Sequence, residues 1–147
     1  MILYIDTSAF VKLIIDEPRA TEARAWYAEA REVASSVITY PEATAALCRK
    51  ARELGPDQSR LTAWLTVLET CWQRCVRLPV DERSAAHSAV DHGLRGMDAV
   101  QLAAASDLRS RVVAAMPGAD LHFLAFDRQL LTAAAREGFS TLGGPLE

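Results

Sequence analysis

The chain has 147 residues, 50% of them hydrophobic and 24% charged, an ordinary globular composition long enough for one domain with a buried core. Disordered, collagen-like and low-complexity classes are excluded. Sixteen basic and 19 acidic side chains leave a net charge of −3, which argues against holding nucleic acid by bulk positive charge but leaves room for a nuclease with local basic patches.

Residues 2–5, Ile-Leu-Tyr-Ile, form a short apolar, β-favouring run that stops at Asp6 and reads as a buried strand. The opening segment lacks a basic stretch followed by a long apolar one, so it does not read as a signal peptide. No run reaches the ~18 apolar residues of a membrane span, and a cytoplasmic protein without membrane contact is expected. Residues 8–15 and 18–31 read as helices, the second with Pro18 in its first turn and Asp16 or Glu17 as cap. Residues 33–38 are a second strand.

A helix follows from Thr39 or Tyr40 as cap, through Pro41 in the first turn, to a stop at Gly55-Pro56. Residues 57–74 read as the next helix, with Leu61, Trp64, Leu65, Leu68 and Trp72 on one stripe, so both tryptophans belong to a core or interface. Residues 76–80 are a third strand, confined to an edge or cut short by Pro79. Helices over 82–94 and 97–109 are separated at Gly93 to Gly96, and 110–119 read as a loop or frayed helix end. Residues 121–126 form a fourth strand, 127–137 a helix stopped by Gly138, and 139–142 a short last strand. Strands alternating with helices imply an α/β sandwich with a mainly parallel sheet, and no repeat or linker divides residues 1–147.

Four acids stand at special places in this scheme. Asp6 ends the first strand and Asp127 the fourth, while Glu42 and Asp98 lie in the first turns of helices. In a parallel α/β sheet, strand C-termini and the helix starts that follow them share one edge, where ligands bind. Carboxylates gathered there repel one another unless a cation neutralises them. Oxygen ligands without His or Cys select Mg²⁺ or Mn²⁺, the cations of metal-assisted phosphodiester chemistry. The local alternative is that each acid is a turn residue, a helix cap or a partner of a helix dipole.

Four segments carry a resemblance to a known family: ILYIDTSAFVKLIIDE around Asp6, SSVITYPEATAAL around Glu42, GLRGMDAVQLAAA around Asp98, and LHFLAFDRQLLTAAAREGF around Asp127. In this order, over nearly the whole chain, they resemble the PIN-domain ribonucleases, most closely the VapC-type toxins of bacterial toxin–antitoxin pairs. The resemblance implies a PIN-like three-layer sandwich, a small parallel sheet flanked by helices. It also implies Mg²⁺- or Mn²⁺-dependent endonucleolytic cleavage of RNA. The first metal would sit on Asp6, Asp98 and Asp127. Glu42 would serve as second-metal ligand, water-mediated ligand or general base, and Thr7 or Ser8 would lend a hydroxyl or backbone N–H. The implied partners are a small antitoxin that covers the site and binds operator DNA together with the toxin, and a second copy in a homodimer. Two features depart from the pattern. Many relatives carry a hydroxyl residue two positions before the fourth acid, where this chain has Ala125. The interval of 29 residues from Asp98 to Asp127 is long, with the extra length in RSRVVAAMPGAD, a helix extension or a loop near the active edge.

Asp107, too far along the helix from Asp98, and Asp120, before its strand, are weaker candidates for the fourth acid than Asp127. Lys12, Arg95 and Arg128 are candidate phosphate contacts, and Arg49, Lys50, Arg52, Arg60, Arg74 and Arg77 are further basic residues for an RNA path. His87 and His92 stand five positions apart and do not share a helix face. Cys48, Cys71 and Cys75 suit neither a disulfide framework nor zinc and fit a reducing compartment. Phe10, Val11, Ile14 and Ile15, with Trp26 and Tyr27, exceed one inward stripe and serve either as a groove for an antitoxin helix or dimer contact or as a well-filled core. Besides a toxin ribonuclease, the pattern is open to a PIN-like nuclease of another kind, such as one in RNA processing, and to a non-catalytic regulatory binding domain.

Overall fold

The central apolar runs become strands covered on both faces, as a parallel sheet requires, while the two edge strands stay partly exposed. In a computed structural model describing residues 1–145, the first strand β1 (Ile2–Ile5) is followed by helices α1 (Thr7–Lys12) and α2 (Ala20–Glu29), then β2 (Glu32–Ser36). Helices α3 (Thr39–Glu53) and α4 (Gln58–Gln73) lead to β3 (Cys75–Leu78). Helices α5 (Glu82–His92) and α6 (Gly96–Ala115) precede β4 (Leu121–Ala125), α7 (Arg128–Arg136) and β5 (Ser140–Gly143). The last two positions of the domain expected over 1–147, Leu146 and Glu147, lie outside the described residues.

The five strands pair in the order β3-β2-β1-β4-β5, every pair parallel. Alternation along β1 sends Leu3 and Ile5 to one face, with Phe10 of α1, Ala23 of α2, Leu47 of α3 and Leu68 and Trp72 of α4. Tyr4 goes to the other, with Leu102 and Ala105 of α6, Leu130 of α7 and Phe123. The three-layer α/β expectation is thus met, and the sheet is wholly parallel. Phe10, Ile14 and Ile15 are buried in the first core, with Val11, Trp26 and Tyr27 partly buried against it, so the structure assigns the first three to the core. Among the described residues, no helix is long and apolar enough to cross a membrane.

Several helix ends differ from expectation. α2 begins at Ala20, not Pro18, and neither Asp16 nor Glu17 caps it: the Glu17 carboxylate is held by Lys12 Nζ at 2.9 Å and that of Asp16 lies 3.4 Å from Arg24. Pro18 and Arg19 form a turn instead, with Arg19 left-handed at φ 66°. α3 starts after Ile38 without a side-chain cap. Thr39, expected at the cap, faces inward: its hydroxyl lies 2.8 Å from Ser35 Oγ. Ser35 in turn donates to the carbonyl of Ile5 at 2.6 Å. Ser35→Ala removes a buried donor from the end of β1 and should cost about 1–2 kcal/mol, read as a lower Tm; an unchanged Tm would refute the role of that bond. The segment 110–115, expected as loop or frayed end, continues α6 to Ala115. Its turn ends beside the start of β1, where the Ile2 amide donates to Asp120 O at 2.7 Å. The long interval therefore lengthens a helix away from the strands' C-terminal ends.

Candidate active site

The strand order determines where the acids go. The chain runs outward from β1 through β2 to β3, then returns to place β4 and β5 on the other side of β1. The connections leave in opposite directions between β1 and β4, which opens a crevice at their C-terminal ends. Asp6 follows β1 directly, and Asp127 stands two residues beyond β4. The Asp6 amide donates to Leu124 O at 3.1 Å, tying the two strand ends together.

Each acid also does the local work its position suggests. Asp6 caps α1, its Oδ1 accepting from the Ala9 amide at 3.0 Å and from Ser8 Oγ at 2.7 Å. Asp127 caps α7 through the Leu130 amide at 2.8 Å. Glu42 and Asp98 lie in the first turns of α3 and α6, where the positive helix end favours negative charge. Capping and convergence are compatible, because a carboxylate has oxygen lone pairs beyond those a cap uses. The cap on Leu130 also orients Asp127 without help from Ala125, which is fully buried in the core. Ser8 adds a cross-link, its Oγ accepting from the Phe126 amide at 2.9 Å.

All four acids line one cavity of about 740 Å³ together with Thr7, Ser8, Lys12 and Arg95. Two of the expected phosphate contacts are placed otherwise than as free rim cations. Arg128 is exposed on α7 and is not part of the cavity lining. Lys12 is buried, its Nζ 2.9 Å from Glu17 Oε1, 3.0 Å from Pro18 O and 4.9 Å from the centre of the Phe126 ring. The cavity also takes in Arg49, seven positions after Glu42 on the same face of α3, and Gln101, three after Asp98 on α6. Gln101 is absent from the expected site. The one sequence signal for it is a large polar side chain one helical turn beyond Asp98, within an alanine-rich helix.

The electrostatics are those of a crowded carboxylate site. Burial pushes the Asp6 carboxyl up to about 7, against the pull of its bonds to Ala9 and Ser8, and Asp98 adds to the rise. Asp98 is also raised, first by burial and then by the facing Asp127 and by Glu42, with Arg95 opposing. No His or Cys among the described residues lines the cavity. Among the described residues, no three His, Cys, Asp or Glu side chains stand close enough together to hold a metal ion.

A model of the PIN domain family matches residues 3–134. Ribonuclease VapC45 and Ribonuclease VapC49 of Mycobacterium tuberculosis are each 36% identical to this chain over 140 residues, covering 93% of it and 92% of the relative. Ribonuclease VapC47 of the same organism is 28% identical over 145 residues, covering 95% of this chain and 94% of its own. Among solved structures, PAE2754 from Pyrobaculum aerophilum superposes with a TM-score of 0.65 at 22% identity, over 96% of this chain and 92% of that one. FitAcB from Neisseria gonorrhoeae does so at 0.61 and 19%, over 97% of each chain. FitAB bound to an IR36 DNA fragment matches at 0.60 and 20%, over 100% of this chain and 98% of that one.

Proposed function

The chain belongs to the PIN-domain family, within its VapC type, and from that premise we propose that it is a Mg²⁺- or Mn²⁺-dependent endoribonuclease acting as the toxin of a toxin–antitoxin pair. The observation that carries the reading is the meeting of Asp6, Glu42, Asp98 and Asp127, from four separate segments, in one cavity at the C-terminal edge of the sheet.

The side chains fit a hard cation. Their charged donors are all carboxylates, and burial and mutual repulsion raise Asp6 and Asp98, a strain that a divalent positive charge relieves. The carboxylates line one cavity but stand farther apart than the ligands of one metal ion, so Asp6, Asp98 and Asp127 would close on the cation to hold it, with Glu42 beside them. When bound, such a cation supplies Lewis-acid polarisation of a phosphodiester and a water of lowered pKa. The chain's own residues supply the rest. Ser8 and the Ala9 amide fix Asp6, and Thr7 fixes Glu42 through a 2.7 Å bond. Arg95 and Arg49, exposed at the rim, meet incoming phosphate. With a net charge of −3, RNA is held by this site and its arginines rather than by a bulk positive field.

RNA as substrate is supported by the relatives named ribonucleases. A small antitoxin covering the site is the partner this membership supports, acting in the cytoplasm. A neighbour solved with DNA fits binding of operator DNA by the complex, and a homodimer is the expected assembly. Purified protein should cut RNA with Mn²⁺ or Mg²⁺ and stop on addition of EDTA, and sequencing the new ends identifies the target. Undiminished cutting in EDTA would refute the metal assignment, and RNA bound but left whole would support a regulatory domain instead.

A further inference from the structure

Gln101 lies on the buried face of α6, 2% exposed. A buried amide is costly unless its donors and acceptor are matched, and its partners come from three other segments. Oε1 is 2.7 Å from the Tyr4 hydroxyl. Nε2 is 2.9 Å from Thr39 Oγ1, 3.1 Å from Thr7 Oγ1 and 3.5 Å from Glu42 Oε1.

Counting protons gives the direction of these bonds. A carboxylate only accepts, and a hydroxyl owns one proton. Thr7 Oγ1 stands 2.7 Å from Glu42 Oε1, so its proton is committed there and its lone pair must receive an N–H from Gln101. The amide nitrogen therefore faces the two threonines, and the amide oxygen faces Tyr4, which donates to it. Turning the amide over would set the Gln101 oxygen against the Thr7 lone pairs and the Glu42 carboxylate, with one Thr7 proton for two acceptors. Donation runs one way, from Tyr4 through Gln101 and Thr7 to Glu42.

We propose that Gln101, oriented by Tyr4, is a positioning residue for Glu42. It makes Thr7 an obligatory donor, which pins Oε1 to the cavity wall and leaves Oε2 available to whatever occupies the cavity. The role deepens the nuclease reading and rests on it.

The test is a double-mutant cycle on the full chain, read by electron paramagnetic resonance of free Mn²⁺ and, in parallel, by Mn²⁺-dependent cleavage of total cellular RNA. Gln101→Leu should weaken Mn²⁺ binding and slow cleavage by about 10- to 100-fold, the range for a group that orients a ligand. In a Glu42→Gln background the same change should leave Mn²⁺ binding nearly unaltered. Gln101→Glu keeps the shape and replaces donors by an acceptor, so it should fall at least as far as Gln101→Leu. Where Gln101→Leu does not fold, Tyr4→Phe carries the same cycle, because the ring keeps its stacking on Phe123 at 5.1 Å and loses only the orienting proton. The positioning role is overturned by wild-type behaviour in Gln101→Leu or Gln101→Glu, or by additive losses in the cycle. Wild-type protein that neither binds Mn²⁺ nor cuts RNA overturns the nuclease reading itself, and the positioning role with it.

Discussion

Asp6→Asn should reduce RNA cleavage by at least about 100-fold, the upper end of what loss of a residue one shell further from a metal costs, and the protein should remain folded. Asparagine is as good a helix cap as aspartate, so its oxygen can keep the Ala9 amide and Ser8 hydroxyl that Asp6 now holds. What disappears is the charge. Asp98→Asn should behave alike in activity, with a smaller effect on stability because Asp98 is only half-buried.

The same substitution should make the metal-free protein more stable, in a pH-dependent way. Burial raises the Asp6 carboxyl from 3.8 to about 7 in the folded state. Below pH 3.8 the group is protonated whether the chain is folded or not, and it contributes nothing. Between pH 4 and 7 the unfolded chain gives up the proton while the folded chain keeps it, so stability falls as pH rises, and above 7 the whole cost is present. The interval from 3.8 to about 7 corresponds to on the order of 4 kcal/mol. Thermal unfolding without metal should therefore show Asp6→Asn above wild type at pH 8, with the gap closing toward pH 4. Added Mn²⁺ should raise the Tm of wild type and leave that of Asp6→Asn nearly unmoved. Equal Tm values at pH 8 would show that burial does not strain this carboxylate. Full activity in Asp6→Asn would remove it from the site.

Gly143→Ala should produce the second large effect, on stability rather than chemistry. Gly143 ends β5 with φ +96°, a conformation that side chains disfavour. A Cβ built there also collides with the carbonyl oxygen of Ala125. That oxygen accepts the Gly144 amide at 3.0 Å, and Arg19 holds the Gly144 carbonyl at 2.9 Å from outside. The strand is thus clamped where it would have to move. Two sources of strain at one site should cost about 3 kcal/mol, or about 10 °C in Tm. Because Ala125 stands two residues before Asp127, cleavage should fall as well. A wild-type Tm would show that β5 shifts freely.

The sequence by itself determined the α/β alternation, the position of nearly every element, and the local setting of each acid. These follow from signals within a few residues of one another: apolar runs, helix periodicity, and acids at strand ends and first turns. Asp6 and Asp127 were legible as chemistry and as caps for the same reason, since an N-cap carboxylate and a strand-end ligand occupy the same kind of position. Only the tertiary structure decided that β1 lies beside β4, and with it that Asp6 and Asp127 share a crevice. It also decided that Glu17 holds Lys12 rather than capping a helix, and that Arg128 stays outside the cavity. Gln101 is the sharpest case. Its partners lie 97, 94, 62 and 59 positions away along the chain, so what makes it part of the site is the packing of α6 against the sheet, a contact that no local pattern of residues encodes.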